Sequence, residues 1–393
     1  MITVGQKTFR LDLFRSSLNG VLEVGFNVFV VLIAIRFLDA SETCKSFLAA
    51  GSAIGFFIMP WTVRISAILN RPVTHFAGFL MFICAVALFC CSQVKTVNFY
   101  TVYLVIAQIA LSQMPGLLIH VYSSNYEPSK RGQNISWNFI CSSIVGIVFS
   151  YGFGLYLDNY KSYNLLFVGM GGVSLLSSVA LFLMPSKQPA VVGIPSMLGG
   201  LSFIIKDSLF GKMLLGWMLM GLGVIMTIPL RIEYMAGEGG IGISNQEVAM
   251  VVMSYSFAGI LTSRLWGKLF DRIPFVPYRI SLNLFLLASV LLFFTANSFY
   301  GLILGSVLAG VANGGASIAW TLWVTKLAPI GLESEYMGAH MFLTGVRGFC
   351  APFLGYMVLN MLDFKGVAYT SSILILCSLL IFCTALKADR LSN

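Results

Sequence analysis

The chain has 393 residues, of which 58% are hydrophobic and only 10% charged, with a formal net charge of +9. A soluble domain carries about 25% charged residues, so a soluble globular protein of this size is excluded. The basic excess does not imply nucleic acid, because Lys and Arg sit singly at the ends of apolar blocks and form no basic run or amphipathic basic face.

The apolar residues fall in blocks of roughly 20, the length that spans a bilayer core. Backbone groups in lipid must be satisfied within their own segment, which makes these blocks helices. Helix 1 is predicted over Leu13–Arg36, helix 2 over Phe47–Leu69, helix 3 over Val73–Cys91, helix 4 over Tyr100–Tyr122, helix 5 over Ile135–Leu157 and helix 6 over Leu165–Met184. A connection with three prolines, Pro185–Asp207, follows. Helices 7 to 12 are predicted over Leu209–Leu230, Glu247–Leu269, Tyr278–Ala296, Tyr300–Thr325, Tyr336–Leu362 and Val367–Leu386. The expected fold is therefore an all-α membrane protein of twelve transmembrane helices in two pseudo-symmetric six-helix bundles, 1–186 and 208–393, joined by a cytoplasmic linker over 187–207.

With the N-terminus inside, sixteen Lys and Arg fall on the cytoplasmic side and six outside, leaving Arg264 and Arg347 within helices. That bias predicts a multi-pass protein of an inner or plasma membrane with both termini cytoplasmic. The first apolar block is too long for a cleaved signal and contains Glu23. Seven of the eight cysteines lie in apolar blocks without C-x-x-C spacing, so they read as packing residues and imply no metal site. Two pairs share an offset of 201 between the halves, Asn70-Arg71 with Asp271-Arg272 and Pro128 with Pro329, as repeats would.

Several of these residues resemble signatures of the major facilitator superfamily. Gly267-Lys-Leu-Phe-Asp271-Arg272, followed by Arg279, resembles the family's G-x-x-x-D-R loop between the second and third helix of a half. The counterpart in the first half, Ser66-x-x-x-Asn70-Arg71, replaces Gly with Ser and Asp with Asn. The turn Tyr126–Gly132 and the Gly/Pro-rich stretch Gly348–Gly355 are also similar to the family's. The resemblance implies alternating access, a cavity lined by helices 1, 4, 7 and 10, and a gate at Gly267, Asp271, Arg272, Asn70 and Arg71. Physically, Gly267 would permit close helix approach, and Asp271 would sit against the positive end of a nearby helix.

Charges inside a span are costly and mark function. Glu23 lies near mid-membrane in helix 1, on a polar face formed by Arg15, Asn19, Glu23 and Asn27 at four-residue spacing. Arg347 lies near mid-membrane in helix 11 and needs an anion: Glu23, the solute, or backbone carbonyls. With His340 these two form the expected proton-coupling set. Asn19, Asn27, Gln108, Gln113, Asn313, Trp217 and Trp320 are the expected solute contacts. Helix 7 offers few polar groups, which favours an amphipathic or modestly polar solute over a sugar.

No G-x-x-x-x-G-K-[ST] loop and no H-E-x-x-H or G-x-S-x-G motif occurs, which argues against an ATP-driven pump and a membrane enzyme. The expectation is a monomeric, cofactor-free, proton-coupled secondary transporter of a small solute in membrane lipid, with efflux favoured slightly over uptake of a small metabolite such as a sugar or organic acid. A non-transporting sensor of the same layout is the remote alternative.

Overall fold

The computed structural model describes residues 3–386, apart from 70, 187–196, 238 and 330–332. Helix α1 runs Val4–Arg36, with a π-helical turn at Gly25–Phe29. Helix α2 is Glu42–Ile68 and α3 is Val73–Cys91. Helix α4 is Val97–Ser112, continued past a break at Gln113 by Met114–Asn125. Helices α5, α6, α7 and α8 are Pro128–Tyr160, Asn164–Leu183, Ser208–Ala236 and Asn245–Arg272. Helix α9 is Phe275–Thr295, and α10 is Phe299–Leu322 with a 3-10 turn at Trp323–Lys326. The last helical run, Glu333–Thr384, is kinked at Asp363, whose φ is 71° and ψ −175°, so it is two helices, α11 (333–362) and α12 (364–384).

Ten helical segments among the described residues are long and apolar enough to cross a membrane, and one of them, Tyr336–Thr384, contains both α11 and α12. With α2, which is 27 residues long, the chain is an all-α membrane protein of twelve long helices.

Two sequence expectations change. Helix 1 begins nine residues earlier than Leu13, at Val4, because Thr3 and Gln6 form a capping box, each side chain accepting from the other's backbone N–H. Polar residues in the opening turns hid that start from a reading based on apolar blocks. The connection Pro185–Asp207 also contains a short helix, Met197–Lys206.

The chain forms two compact units: 1–194 together with Ser244–Ala249, and 195–243 together with 250–393. Within each, helices close on small residues, as expected where lipid removes the hydrophobic drive between helices. In the first unit, Ser174 and Ser178 of α6 donate to the carbonyls of Met81 (2.8 Å) and Gly78 (2.7 Å) of α3. In the second, Ser371 and Ser378 of α12 donate to the carbonyls of Gly223 (2.8 Å) and Gly216 (2.7 Å) of α7. The opening turn of α8 belongs to the first unit, where the Asp158 carboxylate accepts from the backbone N–H of Asn245 (3.1 Å) and Gln246 (2.8 Å).

Candidate functional site

The α1 and α5 helices meet at Gly20 and Gly146. A methyl group on Gly20 would collide with the Ser142 carbonyl oxygen, and one on Gly146 would lie 3.2 Å from the Gly20 carbonyl oxygen. This approach brings Ser142 beside Glu23, one turn beyond Gly20, and the serine hydroxyl donates to Glu23 Oε2 at 3.3 Å. Glu23 and Asn27 are exposed and Asn19 is half-buried, whereas Val21, Leu22, Gly25 and Phe26 are buried. The polar face expected on α1 therefore exists over Asn19, Glu23 and Asn27, and Asn27 lies on the π-turn. Such turns occur often at functional sites.

Arg15 does not share that face. It is buried and paired with Asp12, a fully buried carboxylate, at 2.9 Å. Tyr122 donates to Asp12 Oδ1 at 3.1 Å, while Tyr126 (3.4 Å) and the Asn138 amide donate to Oδ2. Burial and the neighbouring carboxylate push the Tyr126 hydroxyl above its ordinary range, which keeps it a donor. Asp12 was missed because it precedes the predicted start of helix 1. The readable signal is the three-residue spacing of Asp12 and Arg15, which places them on one helical face.

Two expected solute contacts are engaged within the fold. Gln108 is buried; its Nε2 donates to the Leu48 carbonyl (2.8 Å), and its Oε1 accepts from the Ser52 N–H (3.1 Å). Gln113 is buried, and its Nε2 donates to the Gly55 carbonyl at 2.8 Å. Both amides join α4 to α2, where Gly51 and Gly55 leave them room. Asn313 of α10 is exposed, with no such engagement, and Trp320 is half-buried.

The second unit concentrates aromatic and cationic groups around Trp217 of α7. The Arg279 guanidinium of α9 stacks over the Trp217 ring, 3.9 Å from its centroid. Arg347 of α11 donates to the Trp217 carbonyl at 2.7 Å. Gly221 makes room for that guanidinium, because a methyl group there would collide with it. His340 of α11 is fully buried among Trp217 (5.4 Å between centroids), Trp323 (5.3 Å) and Trp320 (6.2 Å). Arg279 is also fully buried. It was counted as a loop charge in the sequence because it stands close to a helix start, and only its burial separates it from the topology charges. Glu23 and Arg347 thus take their hydrogen bonds inside their own units.

At the expected gate, Arg71 and Arg272 are exposed. Asn70 and the Asp271 side chain lie outside the described residues. Gly267 is not a point of close approach: a methyl group there would lie 3.8 Å from Ile318 Cδ1, an ordinary contact. The tight crossing of α8 and α10 lies nearer mid-helix, where a methyl group on Gly314 would come within 2.7 Å of the Gly259 carbonyl oxygen.

Comparison with known proteins agrees with this architecture. The family model described as Major Facilitator Superfamily matches residues 209–392. An uncharacterized MFS-type transporter, YybF, of Bacillus subtilis (strain 168) is 23% identical over 351 residues, 84% of this chain and 83% of its own. Among solved structures, the nucleoside transporter NupG superposes with a TM-score of 0.77 at 14% identity, covering 98% of this chain and 100% of that one. A bacterial homologue of the human lysosomal transporter Spinster, inward-facing and occupied, gives 0.64 at 14% identity, covering 96% and 94%. At those identities the solved structures share the fold. The second half is thus similar to the Major Facilitator Superfamily, the likeness to an MFS-type transporter extends into the first half, and the chain shares the fold of the solved transporters.

Proposed function

We propose that the protein is a proton-coupled secondary transporter that exports a small amphipathic or modestly polar solute by alternating access of the halves 1–186 and 208–393. The observation that carries this reading is Glu23. It stands well inside a membrane-spanning helix, exposed on a polar face between Asn19 and Asn27, and its recorded hydrogen bond comes from the neutral Ser142 hydroxyl. A carboxyl held by a hydroxyl, which can both give and accept, suits either protonation state. A group that gains and loses a proton within the span is what coupling requires. Asn19, Asn27 and Asn313 are the polar solute contacts in this reading, and Trp320 supplies apolar surface.

Glu23→Gln keeps the shape and removes the titration. In proteoliposomes with an imposed pH gradient, the variant should lose solute accumulation while retaining exchange of labelled for unlabelled solute. Accumulation that still follows the pH gradient in Glu23→Gln would rule out the coupling role. The solute panel should include nucleosides, given the NupG likeness, along with sugars and organic acids. Accumulation in right-side-out vesicles rather than inverted ones would replace export with uptake, and absence of counterflow for every solute would favour a sensor.

The Lys/Arg bias supports an inner or plasma membrane protein with both termini and the 187–207 linker cytoplasmic; the reading takes it as a monomer. Reporter fusions after Lys187 and at Asn393 should both report cytoplasm. Within this reading Asp271, with Arg272 and the Asn70-Arg71 pair, closes the cytoplasmic face. Asp271→Ala should lower transport with normal membrane abundance, and full transport would make it a turn residue only.

A further inference from the structure

In the second unit, hydrogen-bond donors converge without acceptors. Arg279 is fully buried, and its Nη2 meets only the weakly accepting Met220 sulfur at 3.2 Å. Its Nε and Nη1 have no partner. Arg347 uses Nη1 on the Trp217 carbonyl, and its Nε has none. The indole Nε1 atoms of Trp217 and Trp323 and both ring nitrogens of His340 are likewise buried and unpartnered. The two guanidiniums lie within Coulombic range of one another and of His340. Among the described residues, no carboxylate pairs with either arginine. A buried cation needs a counter-charge and satisfied donors, and here two like charges share one neighbourhood.

We propose that Arg279, Arg347, His340, Trp217 and Trp323 form a binding site for a small monoanionic group. The chemistry fits from three sides. Guanidinium forks match a carboxylate or halide and give strong, charge-assisted bonds. Indole N–H groups donate without adding charge. The aromatic walls exclude water, which strengthens each of those interactions. Two cations and one anion leave a net charge no larger than that of one arginine, so a dianion is not required. The shared ligand chemistry is thus a single compact negative charge. It could arrive as an inorganic anion or as the carboxylate of a transported solute, and in the second case the site narrows the proposed solute class to amphipathic organic acids.

The test uses the full-length protein in nanodiscs. Sodium chloride, formate and acetate are titrated separately against a bulky sulfonate salt at constant ionic strength, and tryptophan fluorescence and thermal midpoint are read. The chain has six tryptophans, and three of them surround His340. A saturable change in both signals is expected. Saturation by chloride with no response to the carboxylates identifies an inorganic anion, whereas saturation by carboxylates, with chloride competing, identifies a solute head group. Arg347→Gln and Arg279→Gln should each raise the half-saturating concentration at least tenfold. Trp217→Phe keeps a ring beneath Arg279, removes one donor and should raise it less. No saturable response in the wild-type protein overturns the proposal, whether or not the arginine variants fold, and so does unchanged half-saturation in folded variants. The titration needs no pH gradient, and Glu23→Gln should keep the response, so failure here is distinguishable from failure of the coupling role of Glu23.

Discussion

Gly20 of α1 packs directly on the backbone of Ser142 of α5, with no room for a side chain between them. The contact sets the distance at which the Ser142 hydroxyl reaches Glu23. A change at Gly20 therefore acts on both stability and the proposed proton site. Gly20→Ala should destabilise the first unit by about 1–3 kcal/mol through overpacking. It should also weaken pH-driven transport, although Glu23 itself is intact. Gly169→Ala is the matched control, because a methyl group there meets nothing within 4 Å. Thermal midpoints of the two variants decide the matter, and equal midpoints would mean that α1 and α5 can separate at no cost.

The Asp12–Arg15 pair makes a different prediction. Asp12→Ala leaves the Arg15 guanidinium buried without its anion and removes the acceptor for Tyr122, Tyr126 and Asn138. Breaking one side of such a pair costs about 3–5 kcal/mol. The double variant Asp12→Leu with Arg15→Met should recover most of that loss. A double-mutant cycle on detergent-solubilised protein measures the coupling, and additive single-variant effects would show that the pair contributes little.

Gln108 separates a structural role from solute contact. Gln108→Leu removes its bonds to Leu48 and Ser52 of α2 and should cost about 1–3 kcal/mol by leaving buried groups unpaired. Solute preference should be unchanged. A shift in preference at wild-type stability would return Gln108 to the solute site.

The residue between α11 and α12, Asp363, has a positive φ of 71° and accepts at Oδ1 from the Gly366 backbone N–H at 2.9 Å. That backbone region belongs almost entirely to glycine and costs other residues about 1–3 kcal/mol. Asp363→Gly relieves this strain and loses the cap, so the midpoint should barely move. Asp363→Ala keeps the strain and loses the cap, and its midpoint should fall clearly below that of the glycine variant.

Much of this fold is legible in apolar block length alone. Asp363 falls just after the predicted end of helix 11 at Leu362, and the Val73–Cys91 helix has the bounds predicted for it. The failures have a common cause. Hydropathy reads a helix only where lipid touches it, so the opening of α1, which is polar and closed on itself by Thr3 and Gln6, was left outside the predicted helix. Asp12 was missed along with it. Glu23 and Arg347 were legible because a charge stands out against apolar neighbours. Arg279 was not, because a cation near a helix end looks the same whether it meets water or a tryptophan ring. Gln108 and Gln113 show the opposite limit: periodicity places an amide in a helix, but only the facing helix determines what it bonds to.

The position of Arg347 also bears on how the protein is made. An arginine at the centre of a helix opposes entry into the membrane by about 2.5–3.5 kcal/mol on insertion scales. The carbonyl that receives this one belongs to Trp217, 130 residues upstream. During synthesis α7 is therefore in place long before α11 emerges, and it offers a polar landing point for an otherwise reluctant segment. For Arg347, unlike Glu23 whose partner Ser142 lies downstream, the sheltering helix comes first, and a nascent chain stopped before α11 would hold that carbonyl, and the space at Gly221, still waiting for the arginine.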